Sequence, residues 1–226
     1  MPESTVNCAR CPYKSSERLC RTEDGKAPSF CPTRDKADVL SACLPEYDRP
    51  EIHEFARQAA LQEADGYGNR DLGYARLRPI KTRIEEIIEF SQKMNYKRLG
   101  LAFCAGLANE AKAVEHLFSD HGFEMVSALC KAGRVPKERI GVTEDQKLDP
   151  SQFESMCNPI FQAYLLNDGK TEFNILLGLC VGHDSLFLKY ADAPCTVLAV
   201  KDRMLCHNPL AAVYTMDSYY RGLKNN

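Results

Sequence analysis

Beyond residue 97, short apolar runs alternate with segments of helical length, and few folds accommodate that order. Residues 99–104, 123–130, 173–180 and 196–200 read as strands, and residues 140–142 add a further short one. A helix is expected from about residue 107 to residue 120, stopped by His121-Gly122. Another follows Asn158-Pro159, with asparagine at the cap and proline at the first helical position. Residues 183–190 form a short helix, and a last one starts after Asn208-Pro209. Strands alternating with helices specify a parallel sheet covered on both faces. The expected fold is α/β, an open, mostly parallel sheet that is Rossmann-like in the broad sense.

Upstream, residues 50–95 predict two leading helices. Pro50 opens the first, which carries Ile52, Phe55, Ala59 and Ala60 and stops near Gly66 and Gly68. The second begins around Pro79; Ile80, Ile84, Ile87, Ile88 and Met94 make an apolar stripe that packs on the sheet. Residues 1–49 differ in kind. They are polar, rich in turn formers and hold five of the chain's 11 cysteines. Such a segment cannot bury a core and needs a cross-link, which a bound metal supplies. The expected division is therefore a cysteine-rich metal-binding segment, 1–49, and an α/β domain, 50–226.

Composition narrows the function classes. The formal net charge is −2 and no block of like charges occurs, which argues against nucleic acid as a partner. No apolar run approaches the roughly 18 residues that span a bilayer, so no membrane association is expected. Met-Pro-Glu-Ser-Thr lacks the basic and apolar regions of a secretory signal, and a cytoplasmic location is expected. In that reducing compartment disulfides rarely persist, so clustered cysteines point to metal or thiol chemistry.

The first such cluster is Cys8, Cys11, Cys20 and Cys31, spaced Cys-x2-Cys-x8-Cys-x10-Cys. A two-residue gap lets both sulfurs of the close pair face one ion, and the distant pair closes the tetrahedron. The ion is either Zn2+ or the iron of a [4Fe-4S] cluster. Only one Cys-x2-Cys knuckle is present, whereas zinc ribbons use two. Cys11-Pro12 and Cys31-Pro32 match the Cys-Pro step of bacterial ferredoxins. A cluster there implies electron transfer with a redox partner protein.

A second set of thiols falls at strand ends. Cys104 ends the first strand, Cys130 the second and Cys180 the third, while Cys157 precedes a capped helix. Ligands of open parallel sheets bind beyond the carboxyl ends of the strands. A thiol at a helix N-terminus has its thiolate stabilised by the helix dipole. Cys180-Val181-Gly182-His183 has metal-ligand spacing. Cys104, Cys157, Cys180 and His183 are the candidate cofactor-binding residues, for a second metal or cluster. Taken singly, each cysteine also reads as a small core hydrophobe, and Cys195 is assigned to that role. Cys43 is a spare or structural thiol. Gly106 opens the turn beyond the first strand, although no full G-x-G-x-x-G follows it.

These features together resemble an uncharacterised metal-binding protein family of archaea and anaerobic bacteria, domain of unknown function 1847. The resemblance rests on the four N-terminal cysteines, on Cys157-Asn158-Pro159, on the block from Gly178 to Asp184, and on Lys201-Asp202-Arg203 leading to His207-Asn208-Pro209. It covers nearly the whole chain. It implies a zinc site at Cys8, Cys11, Cys20 and Cys31 and no known reaction; Cys206 stands where the family pattern has glycine. Three functions are expected in order: an iron–sulfur redox protein, a zinc-stabilised binding or regulatory module, and a thiol enzyme using Cys180 or Cys157 with His183 as base.

Overall fold

The computed structural model describes residues 6–224 and divides the chain into two compact units, Met1–Ala64 and Asp65–Asn226. In the first unit, one-turn 3-10 segments at Cys8–Arg10 and Ser15–Glu17 precede α1 (Pro32–Asp35), α2 (Ala37–Cys43) and α3 (Pro50–Asp65). No residue from 6 to 49 is buried. Local hydrogen bonds hold the segment instead: Lys26 N–H donates to Glu17 O at 2.7 Å, and Leu19 N–H to Lys26 O at 3.0 Å. An exposed Lys26–Glu17 ion pair lies beside them.

The second unit opens with a small antiparallel pair, β1 (Tyr67–Gly68) and β2 (Arg78–Pro79). Helix α4 (Arg83–Lys93) follows, starting later than the expected Pro79. The reason is local. Thr82 N–H donates to the Glu85 carboxylate at 2.7 Å and fixes the helix start there. Ile80 is consequently left off the helix and exposed, while Ile87 and Ile88 are buried as the stripe requires.

Four parallel strands form the sheet: β3 (Arg98–Phe103), β4 (Glu124–Leu129), β5 (Phe173–Leu179) and β6 (Cys195–Val200), in the order β4-β3-β5-β6. Helices α5 (Ala108–Asp120), α6 (Pro159–Asp168) and α7 (His183–Tyr190) connect them, and α8 (Leu210–Tyr214) follows β6. Side chains alternate across the strands. On one face Ala102, Ala128 and Leu176 pack with Ala163 and Leu166 of α6 and Phe187 of α7. Leu99, Leu101 and Ile175, fully buried, point to the other face, where Phe90 of α4 meets Phe173 at 5.5 Å. The protein thus has the open α/β architecture with helices on both sides.

The expected strand at 140–142 does not form. Lys137–Ile140 is a 3-10 turn closed by Gly141 at φ 79°, and Ile140 is exposed. A tight left-handed turn leaves no extended run to pair with a sheet edge.

The first strand leads to the left neighbour, and the chain then crosses over β3 to lay β5 on its other side. That reversal makes the gap beyond β3 and β5 a topological switch point, where open α/β sheets bind ligands.

Candidate functional site

The ladder of the sheet runs on into the residues just past each strand. Cys104 N–H donates to Leu177 O at 3.1 Å, Cys130 N–H to Phe103 O at 2.9 Å, and Lys201 N–H to Leu179 O at 3.0 Å. These three residues are therefore held by rigid strand ends, not by free loops.

Cys157 reaches the same place from a distant part of the chain. The connection from β4 to α6 folds back on itself: Met156 N–H donates to Val135 O at 2.8 Å and Asn158 N–H to Cys130 O at 2.7 Å. Lys131 donates its ammonium to Ser155 O, and Lys137 pairs with Glu154 at 2.6 Å. Asn158 then caps α6, its Oδ1 accepting from Phe161 N–H at 3.0 Å, with Pro159 at the first helical position. Cys157 is fixed between the end of β4 and the start of a helix.

The result is a pair of sulfurs. Cys157 Sγ lies 3.9 Å from Cys130 Sγ, within hydrogen-bonding distance for sulfur. Cys130 is only 3% exposed, and its Sγ also accepts from Ala105 N–H at 3.3 Å. Cys157 is half-buried. The hydrogen bond with Cys130, aided by the nearby Lys131 ammonium, pulls Cys157 down to about 5. The same hydrogen bond, together with burial, pushes Cys130 up. Cys157 is therefore the thiolate and Cys130 the donor, a division that suits the more exposed sulfur for attack.

Of the other predicted residues, Cys104 neighbours Cys130, and His183 neighbours Cys157. Cys180 is engaged differently: its Sγ accepts from the Arg203 guanidinium at 3.2 Å, and its carbonyl accepts from His183 N–H and Asp184 N–H at 3.0 and 3.1 Å. Gly178, at the bulge of β5, has φ +67°, and a Cβ there would sit 2.2 Å from Leu107 Cδ1. Only glycine lets the turn after β3 close onto β5. The segment after β6 is clamped by Asp202 Oδ1, which accepts from Met204 and Leu205 N–H at 2.9 Å each. Cys206 and His207 both take positive φ, 49° and 63°, an uncommon pairing for residues with side chains.

Cys130, Lys131 and Lys201 did not belong to the predicted site. The signal for Cys130 was present in its position at a strand end, but its partner could be named only with the strand order and the fold of residues 130–158 in hand. Beneath the pair lies Gln162, fully buried, whose Nε2 donates to Phe103 O at 3.1 Å and Ala128 O at 2.7 Å. It ties α6 to the ends of β3 and β4 and so sets the height of Cys157 above the sheet.

Cys8, Cys11, Cys20 and Cys31 are all free thiols, exposed or partly so; Cys11 N–H donates to Cys8 O at 3.2 Å in a single tight turn. Their donor chemistry suits zinc or an iron–sulfur cluster. Among the described residues no three His, Cys, Asp or Glu side chains gather in this structure, here or at the strand ends. Among the described residues, too, no helix is long and apolar enough to cross a membrane.

Two comparisons place the chain among known sequences. Residues 31–198 match the family model described as protein of unknown function DUF1847, a match that begins at the last of the four N-terminal cysteines. An uncharacterized protein of Methanocaldococcus jannaschii, MJ0455, is 41% identical over 215 residues, covering 95% of this chain and 96% of that protein. The chain belongs to the DUF1847 family.

Proposed function

We propose that the protein is a thiol–disulfide exchange protein in which Cys157 attacks and Cys130 resolves. The observation that carries this reading is the 3.9 Å contact between a half-buried sulfur and a buried one at the ligand-binding end of a parallel sheet. The Cys157 thiolate attacks one sulfur of a substrate disulfide. Its lone pair makes the new S–S bond, and the old bond's electron pair leaves on the second substrate sulfur as a thiolate. The leaving thiolate takes up a proton. Cys130 then loses its proton and attacks Cys157 Sγ, which expels the first substrate sulfur as a thiolate. The substrate has gained two electrons and become two thiols, and the protein holds a Cys130–Cys157 disulfide. Closing it requires the sulfurs to move from 3.9 Å to about 2.05 Å. A small dithiol reductant returns the pair to its starting state.

Alkylation at low pH tests the reading. At pH 6 an ordinary thiol is about 0.3% ionised, whereas a Cys157 titrating near 5 is mostly thiolate. Lower intrinsic nucleophilicity offsets part of that gain, leaving a net advantage of roughly tenfold. Iodoacetamide at pH 6 should therefore modify Cys157 first, as located by peptide mapping. With Cys130→Ser, a mixed disulfide should accumulate on Cys157. Equal, slow modification of all the cysteines would sink the proposal.

A second reading is favoured by the first unit, where no residue from 6 to 49 is buried and five thiols stand within that span, four of them between residues 8 and 31. In this reading Cys8, Cys11, Cys20 and Cys31 bind Zn2+ or a [4Fe-4S] cluster, the second implying electron exchange with a redox partner protein. Zinc, iron and acid-labile sulfide content after anaerobic purification distinguishes the two, and a metal-free, sulfide-free protein that keeps its structure overturns both.

A further inference from the structure

Past the sulfur pair, at the switch point beyond β3 and β5, lies the turn Ala105–Leu107 that follows Cys104. Its first amide is bonded to Cys130 Sγ, and its next residue, Gly106, carries no side chain. The Lys201 ammonium stands over that residue, 3.6 Å from where a Cβ would be, and the Lys201 Cε stands 3.8 Å from the corresponding point at Gly178. Lys201 therefore leans across the switch point from the end of β6 and reaches the turn that supports Cys130.

The cations around this crevice are not equivalent. Lys131 is held by Ser155 O, and Arg203 by the Cys180 sulfur. Asp202, the carboxylate nearest in sequence, is occupied with the amides of Met204 and Leu205. Lys201 is half-buried, and among the described residues its ammonium makes no hydrogen bond or ion pair. A partly desolvated cation with no internal counter-charge, facing a ligand crevice, is a ready partner for an anion.

We propose that Lys201 receives an anionic group, a carboxylate or a phosphate, carried by the disulfide substrate close to its reacting sulfur. This rests on the reading of Cys157 as the attacking thiolate. The substrate class is then a small disulfide of acidic thiols. Its charge docks on Lys201 above Gly106 while its sulfur meets Cys157 beside the same turn.

Three disulfide probes of different charge test this: 5,5′-dithiobis(2-nitrobenzoate), which is dianionic, neutral 2,2′-dithiodipyridine, and cationic cystamine. The readout is the rate at which Cys157 loses its free thiol, followed in the full chain by quenching with iodoacetamide and peptide mapping. Lys201→Gln should slow the anionic probe by about tenfold and leave the neutral one within about twofold. Cystamine should react no more slowly with the variant than with the parent protein. Lys201→Arg should retain the anionic preference, and added salt should erode it in the parent protein. Equal slowing of all three probes by Lys201→Gln would assign Lys201 a structural role and overturn the inference. No change with any probe, while Cys157 still reacts, overturns it as well and leaves the exchange reading standing. Failure of Cys157 to react with any of the three overturns both.

Discussion

The two units of this protein solve the problem of holding a chain together by different means. In the α/β unit, Leu99, Leu101, Ile175 and Phe187 are fully removed from solvent, and every residue of β5 is buried. In the first unit, residues 6–49 bury nothing and rely on turns, short helices and surface ion pairs. Exposed pairs of that kind contribute little. The difference also governs what the cysteines do. Cys130 and Cys157, at a strand end and a helix start, are held within reach of one another, whereas the cysteines of the first unit are exposed or partly so. A dense core fixes thiol chemistry in advance; a coreless segment can acquire it only through what it binds.

The largest effect should come from the core. Phe187→Ala removes a fully buried ring and should cost about 3–5 kcal/mol by urea denaturation. Val39→Ala, at an exposed position of α2, should change stability by no more than about 0.5 kcal/mol. Comparable losses at both sites would break the contrast between the units.

Metal removal sharpens it from the other side. If the first unit is held by a metal, a chelator should expose residues 6–49 to limited proteolysis while the α/β unit keeps its urea midpoint. Loss of both together would show that the second unit depends on the first for its stability.

A further effect is in the pH dependence of the thiol pair. Cys157 is depressed to about 5 in the folded protein, against about 8.5 for an unfolded thiol. Between those values the unfolded chain binds more protons at this residue, so stability rises with pH. The advantage of the parent protein over Cys157→Ser should thus shrink as pH falls from about 8.5 towards 5. Urea titrations of the two proteins across that range measure it. A difference that stays flat would put the paired sulfurs on the footing of ordinary exposed thiols.

Much of this architecture is legible without coordinates where a signal is local. β3 and β5 are largely apolar, interrupted in β5 by the buried Asn174, because both faces of a parallel sheet are covered. α6 begins where Asn158-Pro159 says it should, because cap and first-turn chemistry belong to adjacent residues. Elements decided by competition were less legible. The apolar stripe ran through Ile80, yet the Thr82–Glu85 hydrogen bond starts the helix three residues later. Residues 140–142 looked extended, but Gly141 closes a tight turn. Cys195 shows the limit for single residues: its sulfur donates to Ala193 O at 3.2 Å and is pushed up by burial at the start of β6. By residue type alone it is indistinguishable from Cys130.

The alternation of strands and helices, the cysteine-rich character of the first 49 residues and the placing of thiols at the ends of strands are all readable from local sequence. Each of these depends on neighbours a few residues apart, through periodicity, capping or composition. Tertiary structure alone decided which sulfurs meet. Cys130 and Cys157 are joined because residues 130–158 fold back on themselves, and Lys201 reaches Gly106 because the chain crosses over β3 to set β5 and β6 on its far side. Contacts of that kind are set by strand order and by the packing of whole elements, and no local pattern encodes either.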